Sequence, residues 1–185
     1  LWLLHGTNDG LARVAPFAAA GDTDAPIIAR TAILMTLRNE DPERAFVRFR
    51  AVEASVERTG QGAHFSYFVL SDTQDEHVAR LEEEAVGQWR ATSANPERIF
   101  HRRRSENTGY KAGNLRDFCS RWGSDYEFML PLDADSLMDG PTILRLVRIM
   151  QAYPKLGLLQ SLVVGAPTRS AFARLFQFGM RHGMR

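Results

Sequence analysis

The sequence predicts an α/β fold, a mostly parallel, Rossmann-like sheet with helices on both faces. Three observations carry the prediction. Short apolar runs suited to buried strands alternate with stretches whose apolar residues recur at helical spacing. Polar and acidic residues gather at the carboxyl ends of those runs, where open parallel sheets place ligands. The chain has 185 residues, 44% of them hydrophobic and 24% charged, which suits one soluble domain with a sizeable core.

Residues 1–29 carry no clear period and are punctuated by Pro16, Gly21, Asp22, Asp24 and Pro26, so they read as a lead-in or linker. The regular domain spans 30–185. Thr31 to Leu37 is a short apolar run, a buried strand broken by Asn39-Glu40-Asp41-Pro42. Pro42 suits a helix start, Phe46, Phe49, Val52 and Val56 stripe that helix, and Gly60 stops it. Phe65 to Leu70 is the second strand, ending at Ser71-Asp72. The next helix carries Val78, Leu81, Ala85 and Trp89 on one face. Arg98 to Arg102 is a weaker third strand, and Lys111-Ala112-Gly113-Asn114 opens a helix striped by Leu115, Phe118, Cys119 and Trp122. Tyr126 to Leu132 is the fourth strand and runs into Asp133-Ala134-Asp135. Pro131 near its end costs only a donor that the strand end tolerates. Gly140-Pro141 opens a helix with Ile143, Leu146, Val147 and Met150. Leu156 to Gln160 reads as a fifth strand and Ser170 to Met180 as a last helix.

Composition narrows the function. Lys plus Arg number 23 against 22 Asp plus Glu, a net charge of +1, so no global field recruits nucleic acid or a membrane surface. Cys119, the only cysteine, admits no intrachain disulfide and falls on a predicted apolar stripe, where a buried inert thiol is expected. No apolar run approaches the ~20 residues that span a bilayer. Leu1-Trp2-Leu3-Leu4 is too short, and lacks the basic lead, for a secretory signal. The chain does not start with Met, and it is read as part of a longer protein.

The chemistry-bearing residues fall at strand ends: Asn39 and Glu40 after the first, Asp72 after the second, Lys111 in the loop after the third, Asp133 and Asp135 after the fourth. Two carboxylates two residues apart can share a hard divalent cation, because Mg²⁺ and Mn²⁺ take oxygen ligands and often combine one or two protein carboxylates with substrate phosphates. The same pair could be an acidic turn capping the next helix. Asp72 could accept hydrogen bonds from a base or ribose, or could be a helix cap. Lys111 with the turn before a helix suits a diphosphate; by itself it also reads as a solvated lysine. The run Arg102-Arg103-Arg104 could hold phosphate but reads first as a solvated charged face, and the five histidines show no metal-ligand spacing.

Together these motifs resemble family 2 glycosyltransferases of the GT-A fold. The carrying residues are Asn39-Glu40, Asp72, Lys111-Ala112-Gly113-Asn114-Leu115, Asp133-Ala134-Asp135 and Gln160-Ser161, in the order that cellulose synthases also show. A closer resemblance, over about residues 30–185, is to the bacterial branch that makes osmoregulated periplasmic glucans. It is carried by Arg30-Thr31-Ala32-Ile33-Leu34-Met35, Val69-Leu70-Ser71-Asp72, Arg102-Arg103-Arg104, Asp117 to Gly123, Leu132 to Ser136 and Leu146 to Met150. The resemblance implies UDP-glucose as donor, a divalent cation (Mg²⁺ or Mn²⁺) and a growing β-linked glucan as acceptor. It also implies a full-length protein anchored in the bacterial inner membrane through segments outside this chain, with its catalytic domain on the cytoplasmic face. By carry-over, Asn39, Glu40, Asp72, Lys111, Asn114, Asp133 and Asp135 are the nucleotide-sugar-binding candidates. Asp72 and Asp133 would hold uridine, Asp135 with Asp133 the metal, and Lys111 the nucleotide. The family's acidic motif supplying the general base, and its Gln-x-x-Arg-Trp motif, find no match before Arg185. The catalytic base is therefore expected beyond it, and this stretch is expected to bind the nucleotide-sugar rather than turn it over. Two rival readings are a haloacid-dehalogenase-type phosphatase, disfavoured because only Asp139 and Lys155 follow the acidic pair, and a non-catalytic nucleotide-binding module.

Overall fold

The computed structural model describes residues 15–161, 169–172, 174, 175, 177 and 178. Four of the predicted strands form one sheet: β1 (Thr31–Leu37), β2 (Phe65–Ser71), β3 (Ile99–Arg103) and β4 (Phe128–Asp133). All pairings are parallel, in the order β3-β2-β1-β4. Four helices surround it: α1 (Pro42–Glu57), α2 (Glu76–Thr92), α3 (Tyr110–Trp122) and α4 (Gly140–Ala152). The α/β prediction holds.

β1 reads as a continuous apolar run because both faces of the sheet are covered. Its alternation feeds two cores. Ile33, Met35 and Leu37 join Tyr67, Val69, Phe49, Val52, Trp89, Ile143 and Val147 on one side. Ala32 and Leu34 join Phe68, Leu70 and Phe118 on the other. That second core is aromatic: Phe68 stacks on Phe100 at 4.5 Å and meets Phe118 edge-on at 4.9 Å.

Helix starts follow capping chemistry. Asp41 Oδ1 accepts from Arg44 N before Pro42, Asp75 Oδ1 from His77 N and Val78 N, and Asp139 Oδ1 from Thr142 N. The helices that follow Asp72 and the Asp133–Asp135 pair are thus capped by Asp75 and Asp139, not by those residues.

Four expectations need correction. The buried stripe of α2 is Ala79, Glu82, Val86 and Trp89, one position on from Val78, Leu81 and Ala85; a glutamate in the true stripe hides it from an apolar count. Cys119 is exposed, not buried. It lies about 100° around the helix from the buried Phe118, with Sγ 3.7 Å from Sδ of Met129 on edge strand β4. Leu146 and Met150 are only half-buried; α4 buries Leu144 and Ile149 beside Ile143 and Val147. Leu156 to Gln160 forms no strand. An apolar run alone does not make a strand, and here Leu158 is 79% exposed.

Residues 15–29 contain a short 3-10 segment, Pro16–Asp22, and pack along α4. Gln151 Oε1 accepts from Ile28 N and Ala29 N at 3.0 Å each, and Arg145 pairs with Asp22 at 2.8 Å. Chain contacts divide at Tyr153: residues 154–185 form a separate unit, in which Ala171, Phe172, Arg174, Leu175, Gln177 and Phe178 are helical. Residues 1–14 and the Gly179-Met180 end of the predicted last helix lie outside the described residues. Among those described, no helix is long and apolar enough to cross a membrane.

Phe118 is 1% exposed at the centre of the aromatic core. Phe118→Ala should destabilise the fold by roughly 3–5 kcal/mol in urea unfolding; a loss below about 1 kcal/mol would contradict this packing.

Candidate functional site

The chain runs β1, β2, β3 outward in one direction, and β4 then returns to the other side of β1. Such a reversal opens a crevice at the carboxyl ends of the two strands that flank it. A groove of about 450 Å³ lies there, lined by Arg38, Glu40, Asp72, Tyr110, Lys111, Asn114, Asp133 and Asp135 among others. Six of the seven sequence candidates therefore meet in one place. Asn39 does not line it.

Each candidate is held differently. Asp133 and Asp135 stand exposed at the end of β4. The Lys111 ammonium is ion-paired to Asp133 Oδ1, while the Asp135 carboxylate has no described hydrogen-bond or salt-bridge partner. Glu40 folds back to accept from Arg38 N. Asn39 sits at φ 59, a left-handed conformation that asparagine tolerates. Its Oδ1 accepts from Gln74 N at 3.0 Å and Asp75 N at 3.3 Å, so it ties the loop after β1 to the start of α2. Asn114 is 1% exposed, and its Nδ2 donates to Leu70 O at 3.0 Å. It pins α3 to β2. Gly113 has a steric reason: a Cβ there would collide with the Thr108 carbonyl.

Asp72 is 3% exposed, and both its oxygens are taken by Arg104, Nε to Oδ1 and Nη2 to Oδ2, each at 2.7 Å. This is a bidentate fork. The same guanidinium donates to Thr108 O at 3.1 Å and Tyr110 O at 3.2 Å, fixing the turn that leads into α3. Asn107 completes the group, donating to Asp72 Oδ2 at 2.9 Å and accepting from Arg38 Nε at 3.0 Å. The hydrogen bond to Asp72 raises Arg104 above its ordinary value.

The arginine run is therefore not a solvated face. Arg103 pairs with Glu76 at 2.7 Å and donates to Thr73 O at 2.9 Å. Arg102 pairs with Asp117 at 3.2 Å on the opposite side of the sheet. Burial pulls Arg102 below its usual range, with Asp117 opposing. Strand alternation held the missed signal: Arg102 and Arg104 share one face of β3 and its extension, and Asp72 ends the neighbouring strand. Sequence reasoning also missed Arg38 and Tyr110. The Tyr110 ring lies 5.7 Å from the Arg38 guanidinium, and its backbone is held at φ 51. A bulky residue there stores on the order of 1–3 kcal/mol, a cost found at binding sites.

The donor set suits a hard cation only in combination with a ligand. No group of three or more acidic, His or Cys side chains gathers among the described residues. Asp135 with Asp133 offers two carboxylates, which fits an ion that also takes phosphate oxygens. Lys111 occupies Asp133, which leaves Asp135 as the carboxylate without a described partner.

Comparison with known proteins bears on this arrangement. A Xanthomonas campestris pv. campestris protein is 46% identical over 163 residues, 86% of this chain and 25% of the relative. A Caulobacter vibrioides protein is 45% identical over 163 residues, 86% of this chain and 24% of the relative. A Shewanella protein is 45% identical over 152 residues, 82% of this chain and 21% of the relative. All three are named glucans biosynthesis glucosyltransferase H. The chain spans about a quarter of the length of these relatives. No protein-family model matches it.

The Asp72–Arg104 pair yields a direct test. Asp72→Asn leaves a buried guanidinium without its counter-charge and should cost about 3–5 kcal/mol in urea unfolding. A loss under about 1 kcal/mol would show that the pair is not what holds this edge.

Proposed function

We propose that this chain forms the nucleotide-binding part of a UDP-glucose-dependent glucosyltransferase of family 2, which extends a β-linked glucan acceptor. The observation that carries the reading is the groove at the β1/β4 crossover, where Lys111, Asp133 and Asp135 meet beside Asp72. The kinship with proteins named glucans biosynthesis glucosyltransferase H supports a glucan product. In this reading the full-length protein sits in the bacterial inner membrane with this domain on the cytoplasmic face, and it makes osmoregulated periplasmic glucan.

The groove's residues divide the work. Asp72 and its partners Arg104 and Asn107 form the wall for the nucleoside. Arg104 already engages both Asp72 oxygens, so uridine meets the whole fork rather than a lone carboxylate. Lys111, exposed by 47% on a flexible stem, is free to turn from Asp133 toward a diphosphate. Asp135, assisted by Asp133, would hold Mg²⁺ or Mn²⁺. When bound, the ion offsets charge on the departing diphosphate.

Calorimetric titration of UDP with and without Mn²⁺ tests the reading. UDP should bind more tightly with the metal, and Asp135→Ala should abolish that difference. Lys111→Ala should weaken UDP by about tenfold, one charge-assisted contact. A folded sample that shows no UDP binding at millimolar ligand would overturn the proposal.

A further inference from the structure

Glu82 is the one acidic residue in the buried stripe of α2, between Ala79 and Val86, and it is 0% exposed. A buried carboxylate costs several kcal/mol unless its partners compensate, and an apolar side chain would complete this stripe at lower cost. Its surroundings show what it holds. Thr73 Oγ1 donates to Glu82 Oε1 at 2.5 Å, and the same hydroxyl accepts from Asn39 N at 2.9 Å. Thr73 is also fully buried, its N–H donates to Ser71 Oγ at 3.2 Å, and Arg103 holds its carbonyl. On the other side of the carboxylate, His101 Nε2 from β3 lies 3.8 Å from Oε2, beyond hydrogen-bond length.

The polarity of this chain matters. An ionised carboxylate only accepts, so it draws the Thr73 hydroxyl proton toward itself. The lone pairs of that hydroxyl are then left for the Asn39 N–H. Asn39 is thereby held in its left-handed conformation between Arg38 and Glu40, and Thr73 is fixed next to Asp72. Two loops from two strands, both lining the groove, are locked by one side chain on a helix behind them. Burial pushes the Glu82 carboxyl up, but the His101 imidazole and the Ser71 and Thr73 hydroxyls outweigh it and hold the group below its usual range. That agrees with a carboxylate kept ionised in place.

We infer that Glu82 is a positioning residue, which acts through Thr73 and Asn39 to set the spacing of the nucleotide groove from beneath. The inference rests on the nucleotide-binding reading above. Its test uses the whole 185-residue chain, with two readouts: UDP affinity in the presence of Mn²⁺, and hydrogen exchange of the Asn39 amide by NMR. Thr73→Val removes the hydroxyl at nearly constant shape, while Thr73→Ser keeps it. The valine variant should weaken UDP by about tenfold, the loss of one hydrogen bond to a charged group, and should deprotect the Asn39 amide. The serine variant should stay within about twofold of wild type in both. Glu82→Gln, which can donate as well as accept, should fall between them.

Wild-type affinity and protection in Thr73→Val would overturn the inference. So would equal losses in Thr73→Ser, which keeps the hydroxyl, because the site would then respond to any change of shape rather than to that hydrogen bond. Lost protection at Asn39 with unchanged UDP affinity would refute the positioning role. If Thr73→Val does not fold, Glu82→Gln decides, and wild-type behaviour in both readouts counts against the relay. Failure of wild type to bind UDP would remove the nucleotide reading and the positioning role with it, while Asn39 exchange in the valine and serine variants would still show whether the relay holds the loop.

Discussion

Asp72 sits almost out of reach of water at the carboxyl end of β2, where an unpaired carboxylate would lose its hydration without compensation. Arg104 supplies that compensation by a two-point fork. In doing so it joins three parts of the chain: the end of β2, the extension of β3, and the turn that leads into α3. The guanidinium's remaining donors go to the Thr108 and Tyr110 carbonyls, so the turn that carries Lys111 is set by the same side chain. Lys111, in the first turn of α3 just beyond, meets Asp133 across the groove.

Behind the pair lies a second polar layer. Arg103 points to the opposite face of the sheet, toward Glu76 and Thr73, and Glu82 reaches Thr73 from α2. Polar groups buried at this edge are costly unless satisfied. Here the Glu82–Thr73–Asn39 chain joins the loops after β1 and β2. The lower part of the sheet is by contrast apolar on both faces and supplies packing rather than direction.

The stretch from Lys111 to Asn114 shows how a compact motif divides its labour. Lys111 faces the groove, Gly113 permits the close approach of the Thr108 carbonyl, and Asn114 pins α3 to the Leu70 carbonyl. Only the first of these acts on a ligand in our reading; the other two place it. Asn39 is likewise a structural member, since its amide oxygen is consumed by the start of α2.

The sequence by itself determined the four strands, the four helices that follow them, and the gathering of Asp72, Lys111, Asp133 and Asp135 at one edge. Those properties follow from periodicity and from the direction of parallel strands, which are local or nearly so. It also carried the kinship to glucan-synthesising enzymes. Only the tertiary structure decided which polar residues pair. Arg104 and Asp72 lie 32 residues apart, and Glu82 disguised the buried face of α2 by placing a charge within it. Exposure at the sheet edge was equally invisible: Cys119 follows the helical stripe, but among the described residues the strand beneath it is the last one in the sheet. The fate of Leu156 to Gln160 was likewise beyond the sequence, because a strand exists only through its hydrogen-bonded neighbours, and apolar character does not say whether a neighbour is there.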